Sequence, residues 1–374
     1  MNNNRKLTGL AIAIAAALTT QQAIAATLYE TTRDKLTLSG RIAAGSSFVD
    51  EVDDDHDPVN AGSRVRLIHE HNFQGGWSSV ARAEWGFDPF FEDGTDAHYK
   101  RMLYAGVSHD DYGTLLVGKQ YSLWYDMVAY WTDWFWYNGA TAQGSFNGAA
   151  GDGGFEGNGR PDNAATYKNT FGDWTVGVLY QTSRDDVPTN AGYTGNLEGY
   201  ERDYTGQGAV VYKPSDDWSF GATYTHSAID GKTAGDGKTS ENVDAGLLAA
   251  RWTPGNWYFA LSGGEYHNLV RGSSFTGTDE ADGIIDEARG YEGVALYNVK
   301  HQVPGTVQLY TGFNRLEDSN SDARDAFYLA GAAWLTLDDN LIIALERKFD
   351  DSVEADGSSN LGNDETDLLV RYNF

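Results

Sequence analysis

Apolar residues recur at every second position through most of this chain. From Trp218 one face reads Trp218, Phe220, Ala222, Tyr224, and the other Ser219, Gly221, Thr223, Thr225. Trp174, Val176, Val178 and Tyr180 stand against Thr175 and Gly177. Trp77, Ala81, Ala83, Trp85 and Phe87 oppose Ser78, Arg82 and Glu84. Leu341, Ile343 and Leu345 oppose Glu346 and Lys348, and the last segment sets Thr366, Leu368, Val370, Tyr372 and Phe374 against Asp367, Arg371 and Asn373. A period of two sends successive side chains to opposite faces of a strand. Each segment is therefore predicted as a strand with one apolar and one polar face. Many apolar faces carry an aromatic residue near an end, where a membrane–water interface would hold it.

The connections between these segments alternate in length. Short, turn-forming ones recur: Gln74-Gly75-Gly76, Asp111-Tyr112-Gly113, Phe171-Gly172-Asp173, Ser215-Asp216-Asp217, Pro254-Gly255-Asn256, Val303-Pro304-Gly305 and Asp338-Asp339-Asn340. Gly, Asn, Asp and Pro are the residues tight turns need. Between them lie longer polar stretches at 51–62, 88–99, 122–160, 185–202, 230–241, 270–288, 317–323 and 350–363. This spacing predicts sixteen strands, at 36–50, 63–73, 77–87, 100–110, 114–121, 161–170, 174–184, 203–213, 218–229, 242–253, 257–269, 289–302, 306–316, 324–337, 341–349 and 364–374. A tilted strand needs about 9–11 residues to cross a bilayer. An even strand count, with short turns at one rim and long loops at the other, describes an all-β fold: a transmembrane 16-stranded antiparallel β-barrel. Closure pairs every backbone group and leaves no sheet edge. No linker interrupts residues 26–374, which are predicted as one barrel domain.

Composition changes the picture in four places. The 11 Trp, 22 Tyr, 16 Phe and 44 Gly beside only 7 Pro suit many strands, tight turns and aromatic girdles. Arg5 and Lys6, the apolar run Leu7 to Leu18 and the small-x-small site Ala23-Ile24-Ala25 read as a secretory signal peptide, residues 1–25, cleaved to leave Ala26 first. The formal net charge of −27 disfavours a nucleic-acid surface, which needs clustered Lys and Arg. The absence of cysteine excludes thiol catalysis, disulfides and Cys-based zinc sites. No run of about 20 apolar residues marks a membrane helix, a test that says nothing about strands.

Several segments carry a family resemblance. They are Ala26 to Gly40 (ATLYETTRDKLTLSG), Asp111 to Asp126 (DYGTLLVGKQYSLWYD), Asn163 to Thr170 (NAATYKNT) before Phe171-Gly172, and the terminal Arg371-Tyr372-Asn373-Phe374. Taken in order over essentially the whole mature chain, they resemble the trimeric general porins of Gram-negative outer membranes. The resemblance implies a homotrimer in outer-membrane lipid and lipopolysaccharide. It implies a long third loop, about 122–160, folded into the lumen as a constriction, and a terminal aromatic read by the barrel-assembly machinery. It also implies a transverse field, with basic residues on one wall and loop acids opposite. By motif, Arg64 (in SRVRL) and Arg101 (in YKRMLYAG) fall on wall arginines, and Lys168 falls where many relatives carry Arg. Arg41 and Arg82 sit on the polar face of their strands, and Arg66 shares a face with Arg64. Glu84, Glu70 and Glu346 are available acid partners. Asp133 matches the loop's Thr-Asp motif if one inserted residue is allowed. The second loop acid has no counterpart, because the region reads Phe135-Trp136-Tyr137.

That loop is crowded with rings: Trp124, Tyr125, Tyr130, Trp131, Trp134, Phe135, Trp136 and Tyr137. Trp124, Trp131, Trp134, Trp136 and Tyr137 are candidates to stack on the apolar faces of sugar rings, with Asp133, Arg64 and Arg101 bonding the sugar edges. Tryptophan on this loop is also similar to sugar-selective porins, including chitin-oligosaccharide porins. The bland alternative is that about half of these rings merely pack the loop on the wall. The expected function is passive diffusion of small hydrophilic solutes, with a preference for oligosaccharides. The alternatives are an unspecific diffusion porin or a secreted β-rich carbohydrate-binding protein. The acids Asp50-Glu51, Asp53-Asp54-Asp55 and Asp57 read as a solvated loop, or as a bridge to lipopolysaccharide through divalent ions. Asp279 to Glu287 lacks calcium-loop spacing. His69 and His71 alternate as ordinary strand residues, and neither Gly-x-Ser-x-Gly nor His-Glu-x-x-His occurs. No catalysis, cofactor or metal is expected.

Overall fold

In the computed structural model the described residues are 25–50, 57–90, 98–148, 152–185, 201–233, 237–240, 242–275, 284–300, 304–336, 338, 340–359 and 364–374. Residues 1–24 of the expected signal peptide, the acidic stretch 51–56 and residues 279–283 lie outside them.

Sixteen strands build the wall. They are β1 (Asp34–Val49), β2 (Arg64–Asn72), β3 (Trp77–Phe87), β4 (His98–His109), β5 (Gly113–Lys119), β6 (Ala164–Phe171), β7 (Trp174–Gln181), β8 (Glu201–Tyr212), β9 (Trp218–Thr233), β10 (Val243–Trp252), β11 (Trp257–His267), β12 (Glu287–Lys300), β13 (Thr306–Asp318), β14 (Arg324–Leu335), β15 (Leu341–Asp350) and β16 (Glu365–Asn373). Each pairs antiparallel with its neighbours in chain order. β16 pairs back onto β1 from Glu365 opposite Val49 to Asn373 opposite Arg41, so the sheet closes. Gly40 and Phe374 exchange backbone hydrogen bonds of 2.7 and 3.0 Å at the seam. Beyond that point β1 would offer a bare edge. Ala26–Glu30 covers it, pairing Ala26 with Leu38 and Glu30 with Lys35.

Strand boundaries fall within a few residues of the sequence reading. Two departures have a local cause. β5 stops at Lys119, because Gly118 adopts φ +124°, a conformation closed to other residues, and the chain turns into the long connection. β6 begins only at Ala164, after Asn163 at φ +50°. The extra pairing segment Ala26–Glu30 has no alternating pattern of its own and was not expected as a strand.

The two faces are inverted relative to a water-soluble protein. Val178, Tyr180, Leu248, Leu261 and Leu345 are exposed on the outside, while Glu84, Glu292, Glu346 and Asp367 are buried on the inside. Rings flank the short turns on the outer face. Trp174 stacks on Tyr212, Trp218 on Trp252, and Trp257 packs against Tyr297 at 4.5 Å. This is the girdle that fixes one rim at a membrane–water boundary.

Candidate channel constriction

The inner face of β1 to β4 is a wall of guanidinium groups around one carboxylate. Glu84, with no exposed surface, accepts hydrogen bonds from Arg66 Nε at 2.7 Å, Arg82 Nη2 at 2.5 Å, Arg101 Nε at 2.9 Å and Arg64 Nη1 at 3.4 Å. Such charge-assisted bonds are about twice as strong as neutral ones. Strict alternation would send Arg101 outward, beside Leu103. A β-bulge prevents this: Glu84 pairs with Met102 and Trp85 with Lys100, leaving Arg101 as the extra residue. Both Arg101 and Met102 are consequently buried on the inner side. Arg41 donates from Nε to the Gly62 carbonyl at 2.8 Å. Of the acids offered as partners by the sequence, Glu84 alone joins this cluster. Lys168 stands apart from it on β6, paired with Asp126.

The connection between β5 and β6 is fastened along the inner wall of the other strands. Two carboxylates do most of this. Glu346, on β15, accepts the backbone N–H of Trp136 at 2.6 Å, Tyr137 at 3.1 Å and Asn138 at 3.0 Å, the Asn138 side chain at 2.8 Å, and the Tyr310 hydroxyl at 2.8 Å. Glu292, on β12, accepts the Thr132 hydroxyl at 2.6 Å and the Ala142 N–H at 2.7 Å. Arg202 donates to the Phe155 carbonyl and Gln207 to the Gly157 carbonyl on the way back. Glycines on the polar face of the wall make room for side chains of the connection. A Cβ on Gly45 would lie 2.2 Å from the Tyr137 ring, one on Gly312 2.6 Å from Phe135, and one on Gly221 3.0 Å from Trp131. Interior strand glycines mark such close approaches.

The five candidate stacking rings separate into two groups. Trp124 and Trp131 are 0% and 1% exposed. Trp124 donates from its indole to the Gln143 carbonyl, and Trp131 lies under the Arg251 guanidinium. Both fasten the connection to the wall, and burial denies their faces to a passing solute. Trp134, Trp136 and Tyr137 are half-buried. Trp134 packs on Tyr258 at 4.8 Å, and Trp136 donates to Gln308 at 3.1 Å with Arg371 over its ring at 4.5 Å. Asp133 accepts the Tyr125 hydroxyl at 2.6 Å. Burial raises its carboxyl above the ordinary range, against the Tyr125 bond and the positive charges of Arg41 and Arg64.

Sequence reasoning missed the role of Glu346 and Glu292 as clamps, and missed Arg371 altogether as an inner-wall residue of interest. A trace was present: Glu346 and Arg371 stand on polar strand faces, and Gly177 and Gly221 interrupt such faces.

The closed barrel, its inverted faces and its charged interior define a membrane channel of the porin type. The profile of the Gram-negative porin family matches residues 10–373, and the chain belongs to that family. It is 26% identical to porin-like protein L of Photobacterium profundum, over 99% of this chain and 100% of that one. Outer membrane protein YedS of Escherichia coli is 23% identical, over 91% of both. Among solved structures, Salmonella typhi OmpF in complex with daunomycin superposes with a TM-score of 0.71 at 17% identity, covering 93% of this chain and 100% of that one. Vibrio cholerae OmpT in its trimer form gives 0.64 at 14% identity, covering 91% and 100%. The chain is thus an outer-membrane channel for passive diffusion of solutes, and porins are channels rather than enzymes.

Proposed function

We propose that the chain forms a homotrimer of water-filled channels for small hydrophilic solutes, each narrowed where the β5–β6 connection faces the arginine wall. The observation that carries this reading is the fastening of that connection by Glu346 and Glu292, because a rigid inner rim is what sets a size limit. The trimer rests on the outer face of β2 to β5. There Ala81, Ala83 and Ala105 form a shallow apolar groove with Leu67, Leu103 and Val117. Vibrio cholerae OmpT, similar in fold, is described in a trimer form. Gel electrophoresis with and without boiling tests assembly, and planar-bilayer current tests the pore. A heavy unboiled species and stepwise current support the reading; a monomer that leaves bilayers silent refutes it.

A second reading, preference for oligosaccharides such as chitin fragments, is favoured by the Trp134, Trp136 and Tyr137 rings, which are only partly buried. Trp134→Ala and Trp136→Ala then weaken transient blocking by chitin oligomers. Equal blocking in wild type and both variants removes the preference. Contact with lipopolysaccharide through divalent ions remains a proposal for the long-loop rim, where Asp50 is already engaged by Arg347.

A further inference from the structure

We infer that His69 makes association of the subunits sensitive to acid: its uncharged imidazole completes an apolar row on the face that the copies share, and its protonation there weakens the contact. This rests on the homotrimer reading and names the regulation of that same surface.

A cross-strand row places the residue. Leu36, His69, Ala81, Ala105 and Val117 stand opposite one another in turn on β1 to β5. The exposed Leu103, Leu115 and Val117 mark this as the outer face. His69 is the polar member of the row and lines the shallow groove with Leu67, Ala81 and Ala105. The next row toward the long loops, Leu38, Leu67, Ala83 and Leu103, is wholly apolar. On the other side lie Asp34, His71, Ser79, Val107 and Leu115. The period of two in β2 sends His69 and His71 to this patch together.

One carboxylate serves both imidazoles. Asp34 Oδ1 lies 2.6 Å from His71 Nδ1 and 3.5 Å from His69 Nε2. Asp34 Oδ2 accepts the Thr31 hydroxyl at 3.3 Å. The His71 ring also packs edge-on against Phe73 at 4.5 Å. His71 is therefore held by bond and packing, whereas His69 has the longer contact and is exposed. The other neighbours of His69 are Leu36 on β1, Tyr29 beyond it, and Ala81 and Ser79 on β3. Lys35 and Glu70 pair on the opposite face of the same strands. Arg82 borders the groove but turns its guanidinium inward to Glu84.

Charge arithmetic gives the sign. Imidazole is the side chain that changes charge between about pH 5 and 8. A proton on His71 is matched by Asp34. A second proton, on His69, sets two positive charges against one carboxylate. In a separated subunit water solvates that charge. In the trimer the neighbouring copy covers the groove, and burying a charge without its own partner is costly. Separated subunits thus bind protons that the trimer excludes, so association weakens as pH falls.

The purified full-length protein in detergent tests this. Samples are heated at pH steps from about 7.5 to about 5, with a chelator present, and unboiled gels give the temperature at which the heavy species dissociates. In wild type that temperature is expected to fall by about 5 °C or more across the range. His69→Gln keeps the size and removes the titration, so most of the fall disappears. His71→Gln leaves Asp34 to His69, so the fall shrinks. Asp34→Asn leaves both imidazolium groups unmatched, so it grows. His109→Gln, on the same outer face but packed against Trp77, keeps the wild-type fall. A dissociation temperature independent of pH in wild type overturns the inference, as does an equal fall in wild type and His69→Gln. Absence of a heavy species at every pH refutes the trimer reading instead.

Discussion

One glutamate sets the electrostatics of the wall. Glu84 is shared by four arginines and has no exposed surface, so removing its charge leaves buried cations unpaired. Breaking a buried ion pair costs about 3–5 kcal/mol. Glu84→Gln is expected to lower the temperature at which the heat-resistant species dissociates on gels, and to shift reversal potentials toward chloride. Asp133 gives a pH dependence. Its raised pKa means that the carboxylate gains its proton at a higher pH than an ordinary aspartate. As pH falls through that range the constriction becomes more positive and chloride preference grows. In Asp133→Asn the part of that response carried by Asp133 is lost, so the titration of reversal potential is shallower than in wild type. For an ionised Asp133 buried against its preference, the sign for stability is also fixed: the penalty is fully present above the folded pKa, fades as pH falls from there toward the lower, unfolded pKa, and is gone below the latter.

At the scale of elements, the connection between β5 and β6 is held by hydrogen bonds and by seats cut into the wall. Glu346 alone fixes three consecutive N–H groups. Glu346→Ala leaves these donors and the Tyr310 hydroxyl without their acceptor, and single-channel recordings are expected to show more open-state noise. Gly45→Leu addresses the same segment from the opposite side. Its Cβ would meet the Tyr137 ring at 2.2 Å, so the ring has to move toward the lumen, and conductance is expected to fall. A conductance equal to wild type would show that Tyr137 does not border the open path. The bulge in β4 belongs to this scale too. It turns one residue, Arg101, to the other face without disturbing the pairing on either side.

For the whole molecule, closure and field are the two properties that matter. Closure depends on the small segment Ala26–Glu30 as well as on the β16–β1 seam. Deleting it uncovers residues 35–38 of β1, and the heat-resistant species is expected to dissociate at a lower temperature. The field is expected to respond to salt. The Debye length falls from about 10 Å at 0.1 M to about 3 Å at 1 M. Chloride preference measured at low salt should therefore shrink as both solutions are concentrated, while conductance rises. A preference independent of salt would place its origin in size exclusion.

Alternation, turn residues and the rhythm of short and long connections made sixteen strands and their inner and outer faces legible from the sequence, because side-chain direction in a strand is a local property with a period of two. The same rule located Arg41, Arg64, Arg66 and Arg82 on the inner face. It failed for Arg101, whose direction is set by a bulge against β3, and it gave no account of Ala26–Glu30, which is a strand only because β1 offers it an edge. Nor could it sort the loop's rings, since Trp124 and Trp136 look alike in sequence and differ by what each meets across the barrel. The juxtaposition of Arg371, Arg41 and Arg64 joins the two ends of the chain. Only a sheet that closes on itself brings those residues together, and so only the tertiary structure decided that grouping.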